Sequence, residues 1–328
     1  MNEKEVELLE KYSLTATHMK RARGGFVCNT VRGPVLFKEY RGSEKHLLIE
    51  NAILEKIRNS GIIKSDYIVK NDSGELITSC DDKNYILKVW YHSRECNIRD
   101  KGDVLRACKM IAEVHNVLRG DMGDTKFDLY PCNLVNEYKR HTSEMKRARN
   151  YIRNKNNKTD FELKILKCFD RFYLKAVEAE KCLEECEYEK HREYAYLNQT
   201  VCHGAFNYHN ILMTEKNAIL VNYERAVIDI QLTDFYDFIR KVMEKYNWEK
   251  ELGRNMFREY MNVKYISEQE KRLLKVMLMY PEKFWKIVNQ YYNGNKTLIS
   301  EKNIDKLNVI CSQEEQKQTF IDTFDFIG

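Results

Sequence analysis

Proline is nearly absent, with 3 residues in 328 against an ordinary share of about 5%. That excludes a proline-rich linker or scaffold. Charge of one sign is also missing: 55 Lys and Arg stand against 50 Asp and Glu, a formal net charge of +5 in a chain that is 32% charged. A nucleic-acid partner is therefore not implied by charge. No apolar run approaches the roughly 20 residues of a membrane span, and the opening MNEKEVELLEKY lacks the apolar segment of a secretory signal. The expectation is synthesis in the cytosol and no membrane association. Ten cysteines (28, 80, 96, 108, 132, 168, 182, 186, 202 and 311) are scattered without a Cys-x-x-Cys pair or a histidine at metal-ligand spacing, so neither a zinc ribbon nor a redox motif is indicated. Cys182 and Cys186, one helical turn apart, read as ordinary reduced thiols.

What is present is apolar mass, 43% hydrophobic and 12% aromatic, enough for a real core in one large domain or two coupled lobes. The first ninety residues read as strand-rich. Gly25–Asn29 and Pro34–Tyr40 flank the turn signal Arg32-Gly33 and predict a hairpin. Ser43 precedes Glu44–Ile57, where Leu47, Leu48, Ile49, Ala52, Ile53 and Ile57 recur at helical spacing, and Asn59-Ser60-Gly61 ends the element. Tyr67–Lys70, Glu75–Thr78 and Asn84–Trp90 are further strand candidates. After Trp90 the pattern turns helical: Asp103 is placed as the cap of Val104–Leu118, and Leu134–Asn157 and Asp160–Arg192 follow as long charged helices. The basic stretch 139–158 would suit a phosphate-bearing partner or, more plainly, a solvated helix face. The division expected is an N-terminal β-rich lobe over 1–90 and a helical lobe over 91–328.

The informative segment runs Val201-Cys-His-Gly-Ala-Phe-Asn-Tyr-His-Asn-Ile-Leu-Met213, then Ala218-Ile-Leu-Val-Asn-Tyr-Glu-Arg-Ala226, with Asp229 and Asp234 beyond. Its strand, loop, strand, loop, helix layout is how a kinase-like fold assembles its catalytic and metal loops. His203-Gly204 through Asn210-Ile211-Leu212 resembles the His-Gly-Asp catalytic loop of aminoglycoside and choline phosphotransferases. The flanking text, including Phe238–Lys245 and Trp248, is similar to CotS-type spore-coat proteins of that superfamily. The resemblance spans roughly residues 12–292. It implies an α+β, two-lobed, protein-kinase-like fold with a small β-rich lobe and a larger helical one, ATP and Mg²⁺ as the family's cofactors, and residence in the spore coat among other coat proteins.

Carried over residue by residue, the resemblance implies that Lys38 is the nucleotide lysine, with Glu50 as its ion-pair partner and Glu55 the alternative. Asn210 and Asn222 stand at metal-ligand positions, with Glu224 as a further acidic group. Gly24-Gly25 after Arg23 occupies the place of the phosphate loop. Two positions depart from the pattern. The aspartate that accepts the substrate hydroxyl's proton is Ala205, which can accept nothing, and the metal-binding aspartate is Asn222, a neutral carbonyl. His209 is the candidate substitute base. His203 reads as a buried strut, and Asp229 and Asp234 as structural, Asp234 as a helix cap that braces the loop. The expectation is a kinase fold with impaired chemistry acting by binding; an active phosphotransferase with rearranged residues, or a nucleotide-sensing module, is the alternative.

Overall fold

Residues 16–89 build an antiparallel sheet, and its face decides where the charged groups of the cleft point. The computed structural model describes residues 3–22, 24–120, 127–294 and 301–323. Helix α1 (Glu3–Glu10) leads into strands β1 (Ala16–Ala22), β2 (Gly25–Thr30) and β3 (Gly33–Glu39), then helix α2 (Glu44–Ser60) and strands β4 (Ile68–Val69), β5 (Thr78–Cys80) and β6 (Lys83–Val89). The sheet order is β1-β2-β3-β6-β4, with β5 paired to β6. The β2–β3 hairpin turns at Thr30 and Gly33 as the sequence predicts. Helix α2 begins on the Ser43 side chain, which accepts the His46 N–H, and ends at Gly61, whose φ of 66° is left-handed. Helix α1 and strand β1 escape the sequence pattern. Strand β1 reads ATHMKRA with no β-branched apolar run, and it holds its conformation through the ladder to β2.

Side chains alternate across the sheet. Val35 and Phe37 of β3 and Leu87 of β6 join Leu8, Leu9, Tyr12 and Cys28 in a small outer core. Leu36 and Lys38 take the other face, opposite Lys88 and Ile86 in the register. Lys88 thus points inward and is only 2% exposed. Its ammonium lies 2.5 Å from Glu50 Oε1 of α2 and 3.4 Å from Asp66 Oδ2. Burial alone would pull its pKa down; the Asp66 and Glu50 carboxylates outweigh burial, and the net shift is upward.

Beyond the connector at Trp90, the chain is helical: β7 (Arg94–Glu95), α3 (Lys101–Val117), α4 (Leu134–Arg153), α5 (Asp160–Glu185), α6 (Tyr188–Leu197), β8 (Val201–Cys202), β9 (Ile211–Met213), β10 (Ala218–Leu220), β11 (Val227–Ile228), α7 (Leu232–Lys245), α8 (Lys250–Met261), α9 (Glu268–Met279), α10 (Glu282–Asn293), α11 (Glu301–Ser312) and α12 (Glu314–Asp322). One apolar core runs from α2 through α3 to α12. No helix among the described residues is long and apolar enough to cross a membrane.

Two local expectations need correction. The cap of α3 is Asp100, which accepts the Gly102 and Asp103 N–H groups. Asp103 is instead buried and grips two arginines, with Arg94 Nη2 at 2.8 Å and Arg106 Nη2 at 2.7 Å. The Arg94 hydrogen bond, against burial, holds its carboxyl down at about 2. The long helix expected over Asp160–Arg192 breaks at Glu187, whose φ is 54°. Within the basic stretch 139–158, Lys139 meets Glu184 at 2.7 Å, Arg149 meets Asp170 at 3.0 Å and Lys155 meets Glu162 at 2.5 Å.

Replacing Lys88 by Met leaves Glu50 and Asp66 buried without their cation, so the variant is expected to lose ~3–5 kcal/mol of stability in chemical denaturation. Lys38→Met, whose ion pair is about a quarter exposed, is expected to lose far less. Equal losses in the two variants would contradict this ranking.

Candidate active site: the cleft between the lobes

The loop after β8 is held by one buried carboxylate. Asp234, in the first turn of α7, accepts the backbone N–H of His203 at 2.6 Å and of Gly204 at 3.0 Å. It also receives His115 Nε2 of α3 at 3.3 Å, while His115 Nδ1 faces the Tyr260 hydroxyl at 2.8 Å. Asp234 therefore braces the loop and does not cap its own helix; the residue at the α7 cap is Gln231, which makes no side-chain cap bond. Gly204 is required here. Its φ is 70°, and a Cβ would lie 1.9 Å from Arg225 O.

His203 is fully buried and neutral, its pKa lowered mainly by burial. Its Nε2–H donates to Val221 O at 3.1 Å, so Nδ1 is free to accept the Ala205 N–H at 3.2 Å. The ring fixes the loop to the strand that carries the next polar groups. Ala205 places a methyl group at the turn, and its carbonyl accepts the side-chain amides of Asn207 at 2.9 Å and Asn210 at 3.0 Å.

Asn210 and Asn222 come together, as the family resemblance implies. Asn222 Nδ2 donates to Asn210 Oδ1 at 3.4 Å, and Asn222 itself has a φ of 72°. Its backbone N–H points at Asp66, 3.3 and 3.2 Å from the two carboxylate oxygens. Ser65 Oγ, 2.7 Å from Leu220 O, ties the same segment to β10. Glu224 does not join the two asparagines. Its carboxylate pairs with Lys38 across the cleft, and its backbone carbonyl accepts His46 Nε2–H at 2.7 Å. Although burial opposes it, Lys38 holds the Glu224 carboxyl below its ordinary range.

The ion pairs differ from the expected Lys38–Glu50 pair. Glu50 belongs to Lys88, and Lys38 belongs to Glu224, because Lys38 and Lys88 sit on one face of the sheet but at different depths relative to α2. Gly24, Lys38, Ser43, His46 and Glu224 line a cleft of about 520 Å³, and Arg23 lies outside the described residues. Tyr223 does not fill that cleft; it is buried with its ring 4.7 Å from that of His203. The Tyr208 and His209 rings lie 4.0 Å apart, tilted by 40°. At the other end, Trp90 and Tyr91 pack on Leu212, Ile219 and Val221.

His209 meets a group that sequence reasoning missed. Its Nδ1 lies 2.6 Å from Glu95 Oε2 of β7, at an exposed position. Lys88 and Asp66 were also missed. A lysine inside the apolar strand Tyr85–Trp90 was the available signal for Lys88, since an unpaired charge there would be costly. Glu95 and Asp66 carry no sequence signal, because their partners are distant in the chain.

Asp229 sits away from the cleft, following β11. Its Oδ1 finds no hydrogen-bond partner among the described residues, and burial pushes its carboxyl up to about 7, against the Ile230 N–H and Arg192. A carboxyl with a folded pKa raised above the unfolded ~3.9 destabilises the fold progressively as pH rises from 4 to 7. Asp229→Asn should remove that dependence: on denaturation at pH 8 the variant is expected to gain up to ~4 kcal/mol relative to its standing at pH 4. An unchanged pH dependence would refute the assignment.

Comparison with known proteins places this geometry. An aminoglycoside phosphotransferase from Alicyclobacillus acidocaldarius superposes with a TM-score of 0.88 at 19% identity, covering 97% of this chain and 94% of that one. A spectinomycin phosphotransferase in complex with ADP and spectinomycin gives 0.59 at 12% identity, over 96% and 97% of the two chains. An amicoumacin kinase in complex with AMP-PNP and Ca²⁺ gives 0.61 at 9%, over 96% and 92%. These show an aminoglycoside phosphotransferase-like fold, as the sequence resemblance implies. No curated protein sequence matches the chain. The family described as "Spore coat putative kinase YutH" matches residues 5–324, where the sequence pointed to the CotS type, and this chain belongs to that spore-coat family.

Proposed function

We propose that this protein is a catalytically silent kinase fold, a pseudokinase that serves the spore coat by binding, as a structural or organising component among other coat proteins. One observation carries the reading. The scaffold of the catalytic loop is intact, with Asp234, Gly204, His203 and Asn210 each in a hydrogen-bonded role, while the position expected to take the hydroxyl proton is the methyl of Ala205. A fold that keeps the brace and lacks the base retains a shape and not a reaction.

The metal position supports the same reading. Mg²⁺ favours carboxylate and phosphate oxygens in strict octahedral geometry. The candidate donors are the amide oxygens of Asn210 and Asn222, with Asn210 Oδ1 already accepting Asn222 Nδ2, and a Glu224 carboxylate committed to Lys38. That set is poor in negative charge and does not fit a nucleotide-bound Mg²⁺ well. Any phosphate reaching Lys38 competes with Glu224 for it.

With purified protein, Mg²⁺·ATP in large excess is expected to give far less than the ~2.7 kcal/mol of stabilisation that a ligand at 100 times its Kd provides, and no phosphate transfer to coat extracts. A clear thermal shift accompanied by transfer would sink the binding-only reading.

The His209–Glu95 contact favours a second reading, an active phosphotransferase with a relocated base. A carboxylate 2.6 Å from Nδ1 fixes the ring and leaves Nε2 as the acceptor for a hydroxyl proton. On this reading His209→Ala abolishes ATP turnover, and Glu95→Gln lowers it by ~10²-fold or more. Turnover that is measurable and unchanged in both variants would eliminate it.

A further inference from the structure

Helix α5 buries one side and leaves the other bare. Phe161, Ile165, Phe169, Phe172 and Leu183 are buried in the helical lobe, where α5 packs on α4, α9 and α11. On the opposite side Leu174 is 65% exposed and Val177 42%, and Leu163, three turns before Leu174, is 51% exposed. Lys167, Asp170, Lys181 and Glu184 lie on the same exposed stripe. The order Lys167, Asp170, Leu174, Val177, Lys181, Glu184 advances by three and four residues in turn, which is the spacing of a coiled-coil seam. Its two apolar members sit at the centre of a charged stripe and stay in solvent.

We propose that this stripe is the contact between two copies of the chain, their α5 helices paired antiparallel about a two-fold axis between Lys175 and Ala176. In that register Leu174 meets Val177 of the second copy, Asp170 meets its Lys181 and Lys167 meets its Glu184, and symmetry makes each contact twice. Every layer joins apolar to apolar or cation to anion. Beside the seam, exposed Arg171 faces exposed Glu178 of the second copy, again twice. A parallel pairing would set each charge against its own kind. Sliding the antiparallel copies so that Asp170 meets Leu174 would set Lys167 on Val177, which leaves charges on apolar side chains.

The seam from Lys167 to Glu184 is about 26 Å long at a helical rise of 1.5 Å per residue. A contact of that length falls at the small end of specific interfaces, below about 1,200 Å² of total buried surface, so the association belongs in the micromolar range. The Leu174–Val177 centre drives it and the charges set its direction and register. Within one copy Asp170 meets Arg149, Lys181 meets Glu185 and Glu184 meets Lys139. Exposed pairs of this kind hold their side chains weakly, so the second copy can share them. Among the described residues Arg171 and Glu178 make no ion pair within their own chain. The stripe contains no cleft residue, and the pairing stands whether or not the protein turns over ATP.

Sedimentation velocity on the full chain, from about 1 to about 200 µM, reads the association directly. The mass is expected to rise from 39.3 kDa toward twice that value as concentration increases. Leu174→Glu places a carboxylate from each copy at the centre and is expected to weaken association by about tenfold or more. Arg171→Glu should weaken it too, less so in high salt, and adding Glu178→Arg to that variant should restore it, because the exchanged charges still meet across the axis. All three positions are exposed, so circular dichroism and the melting temperature should match the parent. The proposal is overturned if the parent stays monomeric at the highest concentration, if a dimer forms but ignores Leu174→Glu, or if the charge exchange gives no rescue. A chain that is monomeric alone and joins only a different coat protein through this stripe would overturn it as well. The concentration series on the parent needs no substitution, so a variant that folds poorly does not shield the proposal.

Discussion

Lys88 carries a positive charge into the interior of the first lobe, where Glu50 of α2 and Asp66 of the β4 approach converge on it. Two buried carboxylates need that cation, and the cation needs them, since an unpaired charge at this depth costs several kcal/mol. The contact sets the angle of α2 against the sheet. It also reaches the second lobe, because Asp66 accepts the Asn222 N–H and Ser65 reaches Leu220. Sheet, helix and cleft loop are thus held through one cluster.

A consequence follows for the cleft. With Glu50 satisfied by Lys88, Lys38 is released from α2 and reaches across to Glu224. Protein kinases rely on a strand lysine that contacts both phosphates and the helix glutamate. Here the glutamate of α2 pairs with Lys88 and the β3 lysine pairs with Glu224, so α2 is positioned without Lys38. The loop below is braced independently by Asp234, which gathers His203, Gly204 and His115 from separate elements. With these two fastenings, α2 and the cleft loop are each held by buried carboxylates of the chain itself.

Much of the architecture was legible in the chain. The Ser43 cap, the Gly61 stop and the Thr30–Gly33 turn are local features whose partners lie within a few residues, so sequence spacing reports them directly. The His203–Asn210 loop was legible through its resemblance to a phosphotransferase catalytic loop, whose amides here bond to carbonyls up to five positions away. The errors share an opposite cause. Asp103 looked like a cap because caps are local, yet Arg94 and Arg106 draw it inward. Asp234 sits where a cap residue would, yet its acceptors are used by a loop thirty residues earlier. Strand β1 has little propensity of its own and exists because β2 offers it a ladder.

The sequence by itself determined the fold class, through its resemblance to a known superfamily, and most of the strands and helices after β1, through periodicity; it also fixes which residue types stand at positions 205, 210 and 222. Only the tertiary structure decided the partners: Lys88 with Glu50, Lys38 with Glu224, and His209 with Glu95. The physical reason is that charge pairing acts over a few ångströms in space. Two side chains a hundred positions apart become neighbours only when the packing of whole elements brings them there, and no spacing along the chain records that distance.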